Sequence, residues 1–439
     1  MRMPIICLDE RLRHYLSQFR GCFSQPQFKY FVIILLGLML NQGSGTMTGL
    51  LRQVTASISL SGVSRFMSQA PWSAEDVSRG WQDQFQQEMR RQVQAEQVRL
   101  KRKRRGKGRG RPKKTVVTGY LIGDDSTISK ERGKKMEGLG RHHSSTEGKR
   151  VTGHSLVQGL YLLLGQRCPL PPQMYRQKAV CADEGIPFAS KIDLMVENIA
   201  TFEPVPDTVT HVLLDTWYTC KRIWRTARQR GFLITSGLKC NRYLRIEDSQ
   251  AEKGWYWQRV DEYAHSLSEA DWHYVRWPSN QERWVYIHVI TTRIKKLYKA
   301  QLVIIRGQIE EEDKKDKIRF WASSDLTANR DLLLQHIATR WDIEVLFADT
   351  KEILGLDQYQ LMTANAICRF WTLVMAAYYF LDQERYRQQQ QTGRHTTIGD
   401  AWRQVQAIHW CHFIDWLHQK FRLGYQPADL YLELTGASL

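Results

Sequence analysis

The chain has 439 residues, enough for two or three domains at roughly 150 residues each. Hydrophobic residues make up 42% and charged residues 25%, a globular balance that excludes a disordered, collagen-like or disulfide-stapled chain. Lys and Arg total 63 against 45 Asp and Glu, a net charge of +18, which points to a polyanionic partner such as nucleic acid or an anionic membrane surface.

Residues 1–98 read as a helical domain, either a DNA-binding domain that could hold a helix-turn-helix or a plain packing domain. Apolar positions recur at helical spacing through 28–52, and Ser73 before Ala74-Glu75-Asp76 has the form of an N-cap with an acidic first turn; a Gln-rich helix follows to Glu96. The longest apolar run, Tyr30 to Leu40, has 11 residues, short of the roughly 18 needed to span a bilayer. It is expected to be a buried helix, and no membrane partner is expected. The first 20 residues carry Asp9, Glu10 and Arg11 and lack the apolar core of a secretory signal. Eight scattered cysteines without a C-x-x-C pair fit a reducing cytoplasm.

Composition then breaks. Residues 101–114 read KRKRRGKGRGRPKK, with ten Lys or Arg and no acid. Residues 99–114 are expected to be a flexible basic linker, since such a run cannot build a core. Within it, Arg109-Gly110-Arg111-Pro112 is similar to an AT-hook core, whose arginines lie in the narrow minor groove of A·T-rich DNA. A non-specific electrostatic tether, to which Lys113 would add, is the simpler reading, and both bind DNA with steep salt dependence.

From Thr115 the pattern becomes α/β. Val116 to Ile122 is a strand candidate ending at Gly123-Asp124-Asp125. One or two strands are expected within 151–168 and a helix over 186–203. Val209 to Leu214 is an apolar strand ending at Asp215, Lys221 to Arg230 a basic helix closed by Gly231, and Phe232 to Ser236 the next strand. That order predicts a parallel crossover. Residues 133–150 read as a mobile basic loop or a solvated surface loop. Residues 242–328 alternate and are rich in Trp, which predicts a β-rich insertion. Residues 329–439 return to helix, with one helix expected over 331–355. His409-Trp410-Cys411-His412 is too tightly spaced for a zinc finger and is expected to pack on an amphipathic helix.

Three carboxylates stand out. Asp124 and Asp215 each follow an apolar strand, at the sheet edge where α/β folds place their sites. Glu344 lies in a helix with Arg340 and Lys351 at i−4 and i+7, on one face. Each Asp alone has the ordinary reading of a turn or cap residue. Together the three make a hard-oxygen set suited to Mg²⁺ or Mn²⁺. Two such ions about 4 Å apart clamp the attacking and leaving oxygens of a phosphodiester displacement.

The stretch Ile337-Ala338-Thr339-Arg340-Trp341-Asp342-Ile343-Glu344, with Lys351 beyond it, resembles the Y-(2)-R-(3)-E-(6)-K signature of DDE transposases from bacterial cut-and-paste insertion sequences. Arg340, Glu344 and Lys351 keep its spacing, while Ile337 stands where the family has Tyr. Leu121-Ile122-Gly123-Asp124-Asp125-Ser126-Thr127 is similar to the segment bearing the first Asp, with Asp124 preferred and Asp125 as its substitute, and Leu213-Leu214-Asp215-Thr216 to the second. The resemblance implies an α/β, RNase H-like mixed-sheet core in two parts, 115–241 and 329–439, around the insertion at 242–328. It implies Asp124, Asp215 and Glu344 as catalytic ligands of two Mg²⁺ or Mn²⁺ ions, and Arg340, Lys351 and Trp341 as DNA contacts. Trp284 or Trp321 could stack on a flipped base, although packing in the insertion's own core is the simpler reading of each. The implied partners are double-stranded DNA (terminal inverted repeats and target) and a second copy in a homodimer. The implied reaction is cleavage at the element's ends, hairpin formation and reopening, then strand transfer in the bacterial cytoplasm. A non-catalytic DNA-binding regulator or a nuclease without strand transfer are the alternatives.

Overall fold

The computed structural model describes residues 3–4, 9–40, 43, 45–55, 58–104, 116–144, 147–278, 280, 282–307 and 318–435. Arg109, Arg111 and Lys113 lie outside these residues.

The N-terminal part comprises β1 (Met3–Pro4), α1 (Glu10–Ser17), α2 (Gln25–Leu40), α3 (Met47–Gln53), β2 (Val54–Thr55), α4 (Leu60–Ser68) and α5 (Ala74–Arg104). The apolar run Tyr30–Leu40 forms the buried half of α2, as its length predicts. Ser73 caps α5, its Oγ accepting from the backbone N–H groups of Glu75 (3.1 Å) and Asp76 (3.2 Å). The helix runs past Glu96 to Arg104 and so takes in the first four residues of the basic run. Long, unbranched Lys and Arg are good helix formers once a helix is already propagating. The helices do not stand apart as a separate unit. Tyr15 donates its hydroxyl to the Ala376 carbonyl (2.7 Å), and the buried Arg369 guanidinium donates to the carbonyls of Met67, Ala70 and Trp72. Both partners sit on α12 (Ala364–Thr392), and one apolar core runs through both regions.

Next come β3 (Val117–Ser129), β4 (Gly140–Ser144), β5 (Lys149–Leu163), β6 (Gln166–Pro169), β7 (Gln173–Tyr175), α6 (Lys178–Asp183), α7 (Lys191–Thr201), β8 (Thr208–Leu214), α8 (Lys221–Gln229) and β9 (Leu233–Leu238). β5 pairs antiparallel with β3 and carries β4, β6 and β7 on its other edge; β3, β8 and β9 are mutually parallel neighbours. An antiparallel opening followed by two parallel strands, each reached through helix, is the RNase H-like core. Part of the stretch read as a basic loop at 133–150 is therefore strand β4, whose alternate residues Gly140, His142 and Ser144 are buried.

The insertion holds β10 (Tyr243–Glu247), β11 (Trp255–Arg259), α9 (Val260–His265), β12 (His273–Arg276), β13 (Trp284–Arg293), β14 (Lys299–Gly307) and β15 (Arg319–Ser323). It is β-rich as expected, but it does not fold on itself. β15 pairs antiparallel with β9, so the core sheet continues outward in the order β9-β15-β14-β13-β12. The single helix expected over 331–355 is two, α10 (Arg330–Thr339) and α11 (Asp342–Glu352). Thr339 donates its hydroxyl back to the Gln335 carbonyl (2.7 Å), a contact that bends helices. After the break, the N–H of Glu344 returns to the Trp341 carbonyl (3.0 Å) in a tighter turn. α12, α13 (Ile398–Arg422) and α14 (Pro427–Thr435) complete the chain, with His409 buried on α13 as the packing reading requires.

Candidate active site

The last parallel pair between β3 and β8 is Gly123 with Leu214. Asp124 and Asp215 each follow directly, so both acids leave the parallel sheet at the same level. Asp124 is not at a strand end, as the polarity of the segment predicts. β3 continues to Ser129 because β5 still pairs with it there; only the parallel partner stops.

α11 approaches this edge and brings Glu344 with it. The Arg340 guanidinium stands between the two elements, 3.4 Å from Asp124 Oδ2 and 2.5 Å from Glu344 Oε1. Lys351, seven residues on, donates to Ser126 Oγ at 2.8 Å. Arg340, Glu344 and Lys351 thus all face β3 despite the helix break. Burial pushes the Asp124 carboxyl up to about 7, with Asp125 and Asp215 adding to the rise and Arg340 opposing it. Burial also lowers Lys351 from its ordinary range.

Asp125 is engaged elsewhere. Its carboxylate accepts from Lys191 at the start of α7 and from the Tyr218 hydroxyl (2.8 Å). Burial, then the neighbouring Asp125, hold the Tyr218 phenol far above its usual range, so it remains a donor. Adjacent strand residues point to opposite faces. Asp124 takes the face of Arg340 and Glu344, and Asp125 the face of α7.

Two exposed tryptophans flank the acids. Trp217, two residues after Asp215, is 62% exposed, and Trp341 is 57% exposed beside Arg340. Trp321 on β15 lies 5.9 Å from the Arg340 guanidinium, close to the acids. Trp284, on β13, stacks on Tyr274 at 4.9 Å. Ile337, in the Tyr position of the signature, is buried with Leu333 and Leu334. Lys191, Tyr218 and Trp217 were not foreseen from the sequence. The Trp217-Tyr218 pair two residues after a strand-end Asp is the signal that was there to read, whereas Lys191 carries none.

The family model described as DDE superfamily endonuclease matches residues 18–261. This chain belongs to that family. The match takes in Asp124 and Asp215 and ends before Glu344. Among solved structures, this family member is similar to the piggyBac transposase in its cryo-EM synaptic complex with hairpin DNA, at 10% identity and a TM-score of 0.37. The similarity covers 72% of this chain and 56% of that one, so the chain spans little more than half of that transposase's length. No curated protein matches the chain.

The acids of this endonuclease-family chain are hard oxygen donors on converging elements. Among the described residues, no three His, Cys, Asp or Glu side chains are gathered as a ligand set for one ion. The guanidinium of Arg340 holds the place between Asp124 and Glu344. Burial and the neighbouring acids disfavour the charged form of Asp124, which any added positive charge at this edge would relieve. Carboxylate oxygens are the donor type that hard divalent cations take. Among the described residues no helix is long and apolar enough to cross a membrane.

Proposed function

We propose that this DDE-family chain is a transposase that binds the ends of its own insertion sequence and carries out metal-dependent strand cleavage and strand transfer. The observation that carries the reading is the meeting of Asp124 and Glu344 across Arg340, with Asp215 level with Asp124 at the end of the parallel pairing. The R-(3)-E-(6)-K spacing of Arg340, Glu344 and Lys351 supports the bacterial insertion-sequence subgroup, and action as a homodimer on paired ends follows from that assignment.

Asp124, Asp215 and Glu344 would hold two Mg²⁺ or Mn²⁺ ions, which when bound activate the attacking oxygen and neutralise charge at phosphorus. The chain's own groups position the DNA. Arg340, released from Asp124 and Glu344, presents a planar fork to a phosphate oxygen. Lys351 adds a point charge on the same face. The rings of Trp217 and Trp341 offer stacking surfaces on either side of the reacting phosphate.

The test is a duplex carrying the inverted repeats that flank the gene, with Mg²⁺ and with EDTA. Cleavage at the element boundary, and joining of the freed end to a second duplex, is expected with Mg²⁺. EDTA should abolish both while binding persists. Binding without cleavage at any metal concentration would leave a DNA-binding regulator, and cleavage without joining a nuclease.

Trp341→Ala should separate contact from folding. An exposed ring contributes little to stability, so unfolding should stay within about 0.5 kcal/mol of the parent. Affinity for end DNA should fall by about 1–3 kcal/mol, the worth of one stacked base. Equal affinity in a fluorescence titration would remove Trp341 from the interface.

A further inference from the structure

A second surface of the chain has the chemistry of a polyanion site and lies outside the catalytic machinery. The β10–β11 hairpin puts Tyr243, Arg245, Trp255 and Trp257 on one face, with Arg245 directly opposite Trp257. Its other face is anchored by Leu244, which is fully buried. The end of β13 and the turn after it pack alongside, through the Thr292 hydroxyl to the Arg245 carbonyl (2.6 Å) and the Lys295 N–H to the Tyr243 carbonyl (2.8 Å). Between hairpin and turn is a groove of about 420 Å³ whose cations are Lys221, Arg245, Arg293, Lys295 and Lys296. An adjoining groove of about 380 Å³ shares the two last lysines and adds Lys239 and Arg242.

Charge here is unbalanced. No described Asp or Glu lines either groove. The nearest carboxylate contact is Glu247, which pairs with Arg245 at 2.5 Å. Among the described residues, Lys221, Lys239, Arg293, Lys295 and Lys296 form no ion pair, and all five are exposed. Six of the seven cations, all but Arg245, have no ion-pair partner among the described residues; such like charges repel one another and await a polyanion.

The aromatic rings already have partners. The Lys295 ammonium lies 5.2 Å from the Tyr243 ring centre and 5.7 Å from that of Trp257, and the Arg245 guanidinium lies 5.5 Å from that of Trp255. Rings used in this way hold these cations in place. The arrangement also connects to the acids. Lys239 sits 5.7 Å from the Trp217 ring, and Arg242 donates to the Thr219 carbonyl (2.8 Å), both in the turn that follows Asp215.

We propose that these two grooves form a phosphate-binding track for duplex DNA, leading away from the Asp215 edge and reading backbone charge rather than sequence. This rests on the DNA-processing reading above. The track fixes the duplex at a distance from the reacting phosphate, and its cation–π contacts keep flexible lysines extended before DNA arrives.

The experiment is the salt dependence of binding of the full-length chain to duplex DNA, followed by fluorescence anisotropy. Each phosphate contact contributes about 0.9 to the slope of log K against log salt, so the triple variant Lys221→Gln, Arg293→Gln, Lys295→Gln should lose about 2.7. Lys239→Gln alone should lose about 0.9, and serves as the milder variant should the triple one fold poorly. The loss should be the same on A·T-rich and G·C-rich duplexes. An unchanged slope in variants of a protein that still binds and cleaves element ends would overturn the track and leave the transposase reading intact. A loss confined to one sequence would also overturn it. A parent protein with no DNA affinity would overturn both.

Discussion

Glu344→Gln is expected to abolish metal-dependent cleavage, by on the order of 10³-fold or more, equivalent to about 4 kcal/mol of transition-state stabilisation. The substitution keeps the shape of the side chain and an oxygen to accept from Arg340, which now approaches Glu344 at 2.5 Å. It removes the negative charge that a divalent cation needs as ligand. The Glu344 side chain is about one-third exposed but is the nearer ion-pair partner of the buried Arg340, so folding should weaken by about 1–2 kcal/mol, far less than the loss of cleavage. Binding to element ends should persist, because the cations that hold phosphate are untouched. Asp124→Asn should match Glu344→Gln in severity, since Asp124 shares Arg340 with it. Asp125→Asn should behave differently. It weakens the contacts with Lys191 and Tyr218, so it should lower stability and leave substantial cleavage. Single-turnover cleavage beside urea unfolding for the three variants distinguishes the roles. If Asp125→Asn were the inactive variant and Asp124→Asn the active one, the assignment of the first carboxylate would be reversed.

The parts of this arrangement that were legible in the sequence are the local ones. β8, α8 and β9 lie within a residue or two of their expected bounds. An apolar run ending in Asp215 and a basic helix closed by Gly231, which adopts φ 71°, leave little freedom. The level of Asp124 was also legible, but as the point where a parallel partner ends rather than where the strand ends. Polarity rises after Gly123 because one neighbour is lost, while β5 keeps the backbone extended. Pairings between distant segments left no local trace. Nothing in 319–323 says that β15 will join β9, and nothing around Lys191 says that it will meet Asp125, 66 residues away. The break at Arg340–Trp341 is equally silent. Both residues keep right-handed helical dihedrals, so the apolar periodicity runs through it unbroken.

Asp382→Ala is expected to be the most damaging substitution for stability, costing about 3–5 kcal/mol. Asp382 lies on α12 and is 1% exposed. Its carboxylate accepts from the Arg167 backbone N–H (2.7 Å) and from Arg385 Nε (2.6 Å), and lies 3.4 Å from the Arg167 guanidinium. Removing it leaves Arg385 buried with no ion-pair partner among the described residues; its remaining ties are the Gly165 carbonyl and Gln389. An unbalanced buried charge costs far more than a lost surface pair. The consequence extends to the acids. Arg167 also donates to Asp342 Oδ1, through Nε at 3.0 Å and a terminal nitrogen at 2.5 Å, and Asp342 opens the helix that carries Glu344. Asp382 therefore holds Arg167, Arg167 holds the start of α11, and α11 sets the position of Glu344. Chemical denaturation should show the loss of stability. At a temperature where the variant remains folded, cleavage should still fall below the parent, because the start of α11 has lost part of its anchor. Full cleavage by a folded Asp382→Ala protein would show that α11 is held by its apolar contacts alone, through Ile343, Leu346 and Phe347.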